Sequence, residues 1–259
     1  MRLRFAGLVL AVGAVLVVSP GMRAQTAPPS GAASAKGVPR TPDGKPDLSG
    51  IWNARGRPGD LGYRRFMADD PPLQPEALKL FQYNREGVTD PSESGLDERD
   101  PSNFCYPVGA TRIYTIPRPV EIRQLPGLTL LLSEWDHTIR RIYTDGREHP
   151  DGFPLVWEGH SIGKWDGDTF VVDTTSLRPE TWVDAIGTPH SDALHIVERF
   201  RLLDRNTLEI DVLFEDSKAY TKPWGGKKVF EWKPDWEILG HANCEDHLQM
   251  GKPRASSPY

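Results

Sequence analysis

Between Thr181 and Arg199 the chain gathers Trp182, Asp184, His190, Ser191, Asp192, His195, Glu198 and Arg199. Imidazoles, and carboxyls whose pKa is raised by burial, are the side chains that exchange protons near neutral pH. Gly187 and Pro189 put His190 in a loop, and loops on a rigid sheet commonly carry function. A local reading competes: Ser191 and Asp192 satisfy loop N–H groups and His190 packs. Glu198 is the sharper candidate. It shares its parity with Ile196 and Phe200, and a carboxyl on a buried face must be paired, hydrogen-bonded or protonated. Its structural alternative is pairing with a buried arginine, Arg112 or Arg141. Glu134 follows Leu128, Leu130 and Leu132 on one parity and could be a second inward carboxylate. The candidate catalytic residues are Glu198, His190 and Asp192. Arg199, Arg112, Arg141, Trp182 and Glu134 are the candidate substrate-binding residues.

Other constellations carry less. His160 facing Asp173, and His195 facing Glu215, read as cross-strand pairs. Ser161 points away from His160, so a Ser-His-Asp device fails on parity. The seven histidines show no His-Glu-x-x-His spacing, and there is no Cys-x-x-Cys pair, so no metal site is expected. Gly225-Gly226 reads as part of a Pro-Trp-Gly-Gly turn rather than a phosphate loop. No cofactor is implied. Eight tryptophans and seven tyrosines suffice for a core and for a few apolar pocket walls.

These side chains need a frame. Arg2 and Arg4 precede the apolar run Phe5 to Val18, and Ala24 ends a small-residue cleavage pattern. That order is a signal peptide over 1–24, which points to the periplasm or secretion. Without its three arginines the net charge moves from −5 to −8, which argues against nucleic acid as a partner. No second run is long enough to span a membrane. Residues 25–46 are Pro, Gly, Ala and Ser-rich and read as a flexible linker, and 251–259 as a disordered tail. In an oxidising compartment Cys105 and Cys244 are expected to pair.

From Val120 to Trp232 the apolar pattern has period two, with regular turn signals, as in a barrel or sandwich. Pro75 opens one helix, in which Ala77, Leu78, Leu80 and Phe81 supply an apolar stripe before Gly87. Asp166-Gly167 reads as a type I′ hairpin loop, placing Trp165 opposite Asp168 and His160 opposite Asp173. In the next hairpin Leu194, Ile196, Phe200 and Leu202 share a face with Leu208, Ile210, Val212 and Phe214 if Asp204-Arg205-Asn206 is a three-residue loop. Arg199 then faces Asp211, Arg201 faces Glu209, and Glu198 faces Val212.

Gly50-Ile51-Trp52 resembles the Gly-x-Trp that opens the first strand of lipocalins and related calycin barrels. The stretches 46–52, 105–109, 157–163, 167–174 and 189–192 together resemble a family of secreted bacterial proteins, a likeness that supplies no particular reaction. The lipocalin likeness implies an antiparallel barrel with an internal cavity. The long stretch between Trp52 and Val120 departs from it and could form a lid over the barrel mouth. The expected fold is therefore mainly β: a single antiparallel, lipocalin-like β-barrel over 47–250, with an insertion at about 54–118 holding one helix and long loops. The expected function is cofactor-free acid–base chemistry, of lyase, hydratase or isomerase type, on a small hydrophobic or aromatic molecule. The alternative is a periplasmic carrier of such a ligand without catalysis.

Overall fold

The computed structural model describes residues 37–56, 64–86 and 99–239. The expected leader, most of the linker, the tail, Gly87 and Cys244 lie outside the described residues. Alternating apolar runs form nine described strands: β1 (Gly50–Ala54), β2 (Val120–Leu125), β3 (Leu128–Ser133), β4 (Ile139–Tyr143), β5 (His160–Asp166), β6 (Thr169–Thr175), β7 (His195–Asp204), β8 (Thr207–Glu215) and β9 (Trp224–Trp232). Each pairs with its sequence neighbour, and β1 pairs with β9, so the sheet closes into a barrel. The expected antiparallel order holds at every joint but one. β4 and β5 run parallel through Ile142↔Ser161 and Tyr143↔Ile162. A parallel joint needs a crossover rather than a tight turn, and residues 144–159 make it.

The even-numbered face of β7 and β8 is buried as read, and Glu198 faces Val212. The hairpin differs in detail: Asp204 pairs with Thr207, and a bulge between Leu202 and Asp204 absorbs the odd residue. The β5–β6 hairpin shifts by two residues. Asp166 pairs with Thr169, so the loop is Gly167-Asp168 and His160 faces Thr175, not Asp173. Gly167 takes φ 58° while Asp168 does not have a positive φ, the pattern of a type II′ turn with glycine first. A shift of two preserves which face each side chain occupies.

Helix α1 spans Pro75–Glu86 and buries Phe81 and Asn84. Leu78 and Leu80, expected in its apolar stripe, are exposed. Asn84 Nδ2 instead donates to the Gly187 carbonyl at 2.9 Å, which docks the helix on the 181–190 loop.

The insertion fills the barrel rather than simply covering it. A 3₁₀ turn, Arg112–Thr115, is buried throughout. Tyr114 enters the interior edge-on to Phe200 and Phe230, with centroids 6.4 and 5.9 Å away. Phe66 enters from another segment and packs edge-on against Phe214 at 5.1 Å. These side chains occupy space where the lipocalin likeness implies a cavity. Gly225 and Gly226, expected in a turn, lie within β9. A Cβ on Gly226 would sit 1.8 Å from the Phe66 carbonyl oxygen, so glycine there admits the inserted segment. Replacing Gly226 by Ala should destabilise the fold by about 1–3 kcal/mol in urea titration; an unchanged midpoint would refute the tight approach of Phe66.

Candidate functional site

Alternation along β4 sends Arg140 and Ile142 inward and leaves Arg141 exposed. The expected buried arginine beside Glu198 is thus Arg140, and neither Arg112 nor Arg141. Arg140 and Glu198 are 1% and 0% exposed. Arg140 Nη1 donates to Glu198 Oε1 at 2.9 Å, and Nη2 donates to Oε2 in a two-point pair. Tyr114 Oη donates to Glu198 Oε1 at 2.7 Å. The remaining guanidinium protons reach Thr174 Oγ1 at 2.8 Å, Ser161 Oγ at 3.2 Å and the Ala110 carbonyl at 3.3 Å. A guanidinium has five N–H donors, and each is engaged. Burial opposes the Arg140 charge, but Glu198, Tyr114 and Glu158 outweigh it and keep the group cationic. Burial and the Glu198 charge push the Tyr114 phenol well above its ordinary range.

A second carboxyl lies beside this pair. Gly159 takes φ 65°, and a Cβ added there would sit 2.7 Å from the Thr175 carbonyl oxygen, so glycine lets the crossover end immediately after Glu158. The Glu158 carboxyl oxygens are buried and find no hydrogen-bond donor of good geometry among the described residues. Burial raises its pKa to about 7, against the smaller downward pull of Arg140 and the Gly109 amide. The preceding residue, Trp157, stacks on Tyr106, centroids 5.2 Å apart and planes 24° apart, with the Arg178 guanidinium 4.4 Å from the Trp157 ring. Tyr106 and Phe104 are exposed. A buried carboxyl whose pKa is raised to near neutrality can take a proton from a bound molecule and return it.

The residues expected to cooperate are dispersed. His190 is buried in the 181–190 loop. Its Nδ1–H donates to the Ser191 carbonyl at 2.8 Å and Nε2 faces Thr181 Oγ1 at 2.8 Å, and burial lowers its pKa so that it is neutral. It shares no bonding partner with Glu198. Asp192 makes an exposed ion pair with Lys218 at 2.6 Å. Arg199 is exposed opposite Asp211. Glu134 lies beyond β3, whose inward residues are Thr129, Leu131 and Ser133; it meets Arg118 at 3.5 Å and the Leu239 amide at 3.0 Å. Arg112 and Trp182 do meet: the guanidinium lies 4.6 Å from the ring centroid and bonds Asp100 at 2.9 Å. Burial works against the Asp100 charge, but Arg112 and Ser102 outweigh it and hold the carboxyl below its ordinary range.

Glu158 and the crossover histidine His149 were absent from the expected set. Glu158 sits within the 157–163 stretch that carries the family likeness, its one signal in the sequence. His149 Nδ1 lies 2.7 Å from His160 Nδ1, and its Nε2 lies 3.0 Å from Asp173 Oδ1. His195 bonds Asp173 at 3.0 Å and Glu215 at 2.9 Å. Among the described residues no group of three or more His, Cys, Asp and Glu could hold a metal ion. A separate cleft of about 310 Å³ is lined by Arg55, Asn206, Thr207, Glu231, Trp232 and Pro234, none of them an expected site residue. No protein-family model matches the chain, and no curated protein matches it in sequence.

Two outcomes follow. Glu198→Gln and Arg140→Met should each cost about 3–5 kcal/mol, because each strands a buried charge. The double variant should cost less than their sum by about 0.5–3 kcal/mol; strict additivity in urea titration would contradict the pairing. Separately, Asp173 and Glu215 raise the His195 pKa to about 9, against the opposing effect of burial. A raised folded-state pKa stabilises fully below the ordinary histidine range and is lost as pH climbs through about 9. Stability should fall between about pH 7 and about pH 9, and His195→Gln should flatten that decline.

Proposed function

We propose that this chain is exported to the periplasm or beyond, and that it exchanges a proton with a small aromatic molecule through Glu158, on the crossover just before β5. The observation that carries this reading is a buried carboxyl without a well-aligned donor, its pKa raised by burial to about 7, one residue along the chain from Trp157, which stacks on the exposed Tyr106. The aromatic faces suit a planar apolar ligand. Glu158 accepts a proton from the bound molecule and delivers it to another position, which is the chemistry of a lyase, hydratase or isomerase. Arg140 has no spare donor for a substrate anion, so its charge acts on Glu158 through space. Glu198 is then a positioning residue that holds Arg140, and His190, Asp192, Arg199 and Glu134 belong to the frame. The leader pattern at 1–24 supports export. Likeness to a family of secreted bacterial proteins agrees with it.

The test has two readouts. Carbon-13 NMR of labelled glutamate should show one carboxyl titrating near 7, absent in Glu158→Gln. A carboxyl whose pKa folding raises costs stability as pH climbs from the ordinary carboxylate range to about 7, where the cost levels off, so Glu158→Gln should gain stability over the native chain across that window and keep the gain above it. Native mass spectrometry of protein purified from its own host's periplasm should find a retained aromatic molecule, lost in Tyr106→Ala. A ligand that binds unchanged to Glu158→Gln and is never converted would make the protein a carrier. A clean apo mass together with no carboxyl titrating near 7 would end the reading.

A further inference from the structure

The outer wall of the barrel carries a chain of titratable groups that the Glu158 chemistry leaves unused. It runs from Glu215 on β8 through His195 on β7 and Asp173 on β6 to His149 on the crossover, and ends at His160 on β5. Within 145–155 every residue is exposed except His149 and Phe153, which are half-buried. Both rest on His160: the Phe153 ring lies 4.8 Å from the imidazole and the His149 ring 4.9 Å. The two inward side chains of this stretch therefore converge on one histidine of the wall, beside the bond of His149 to Asp173 and the stacking of Arg147 on Tyr143.

We propose that the His149–His160 contact is a proton-operated latch that holds residues 145–155 closed near neutral pH and releases them in acid. The proton count dictates it. Asp173 carries an acceptor carboxylate, so His149 Nε2 must donate to it, and neutral His149 presents a bare Nδ1. That nitrogen accepts the Nδ1–H of His160 across 2.7 Å. One added proton is tolerated, because the pair then shares it by exchanging donor and acceptor. A second places two N–H groups and two positive charges face to face, and the contact breaks.

The surroundings set where this happens. His149 faces the Asp173 carboxylate, which His195 shares, and the Thr175 hydroxyl at 3.4 Å. His160 faces the Tyr143 ring of β4 at 5.6 Å, with Arg147 stacked on that ring at 3.8 Å and paired to Asp145. Burial, His149 and Arg147 all lower the His160 pKa, so the second proton arrives below the ordinary histidine range. Asp173 stays ionised there: its bond from His195 and the neighbouring charges outweigh its burial and lower its pKa. The crossover continues into Trp157 and Glu158, so release would open the approach to the proposed site; that consequence rests on the Glu158 reading, and the latch itself does not.

The test needs neither ligand nor turnover. Glu148 is exposed in the latched stretch, and a glutamyl endopeptidase works in both acid and neutral solution. The rate of cutting at Glu148–His149 in the full chain, divided by that in a free peptide of residues 144–153, should rise about tenfold or more between about pH 7.5 and about pH 4.5. His149→Gln, whose amide donates to Asp173 and accepts from His160 in either protonation state, should hold the ratio constant. An unchanged ratio in the native chain, or an equal rise in His149→Gln, overturns the latch. So does a rise accompanied by cutting throughout β7 and β8, which would mean global acid unfolding.

Discussion

The buried pair of Arg140 and Glu198 sets the terms for the rest of the molecule. The barrel's weakest joint is the parallel contact of β4 and β5, where two residue pairs hold the sheet closed. Arg140 lies on β4 and reaches across that joint to Ser161 on β5, Thr174 on β6 and Glu198 on β7. Charge taken out of water costs several kcal/mol per ion unless pairing and hydrogen bonds offset it. Here every donor of the guanidinium is engaged, so the geometry of four strands is tied to one side chain.

The same pair explains why the inserted segment must lie inside. Tyr114 completes the coordination of Glu198, and the Ala110 carbonyl takes an Arg140 proton. The 108–116 stretch thus supplies polar partners to the ion pair and apolar bulk to the barrel, with Val108, Ala110, Ile113 and Ile116 all buried. A barrel that carries a charged pair at its centre is completed by its own insertion.

Glu158 illustrates the other side of this economy. It lies within the field of Arg140 but receives none of its hydrogen bonds, so burial dominates and its proton affinity rises. The neighbouring Glu198 is fully engaged. Two carboxyls near one arginine are thereby separated into a structural one and one free to titrate, as environments that push paired groups apart generally do.

Much of the barrel was legible in the sequence, because strand period and opposite-charge pairing are local. The alternation of Ile196, Phe200, Leu208 and Phe214 was enough to bury Glu198 opposite Val212, and Arg201 with Glu209 confirmed the register. Turn chemistry was less certain: Asp166-Gly167 and Gly167-Asp168 are both plausible two-residue loops, and the left-handed glycine in the first loop position decided between them. The partner of Glu198 was beyond local reading. Arg140 and Arg141 are adjacent, and which one points inward depends on how β4 joins a parallel neighbour across a crossover. Glu158 and His149 were hidden for the same reason. Neither has a revealing neighbour in sequence, and their environments are assembled from residues brought together by barrel closure. The sequence by itself determined the period, the inward face of β7 and β8 and the need to neutralise Glu198; the tertiary structure alone decided which charge does so and which carboxyl is left to titrate, because burial and distance are properties of the closed sheet.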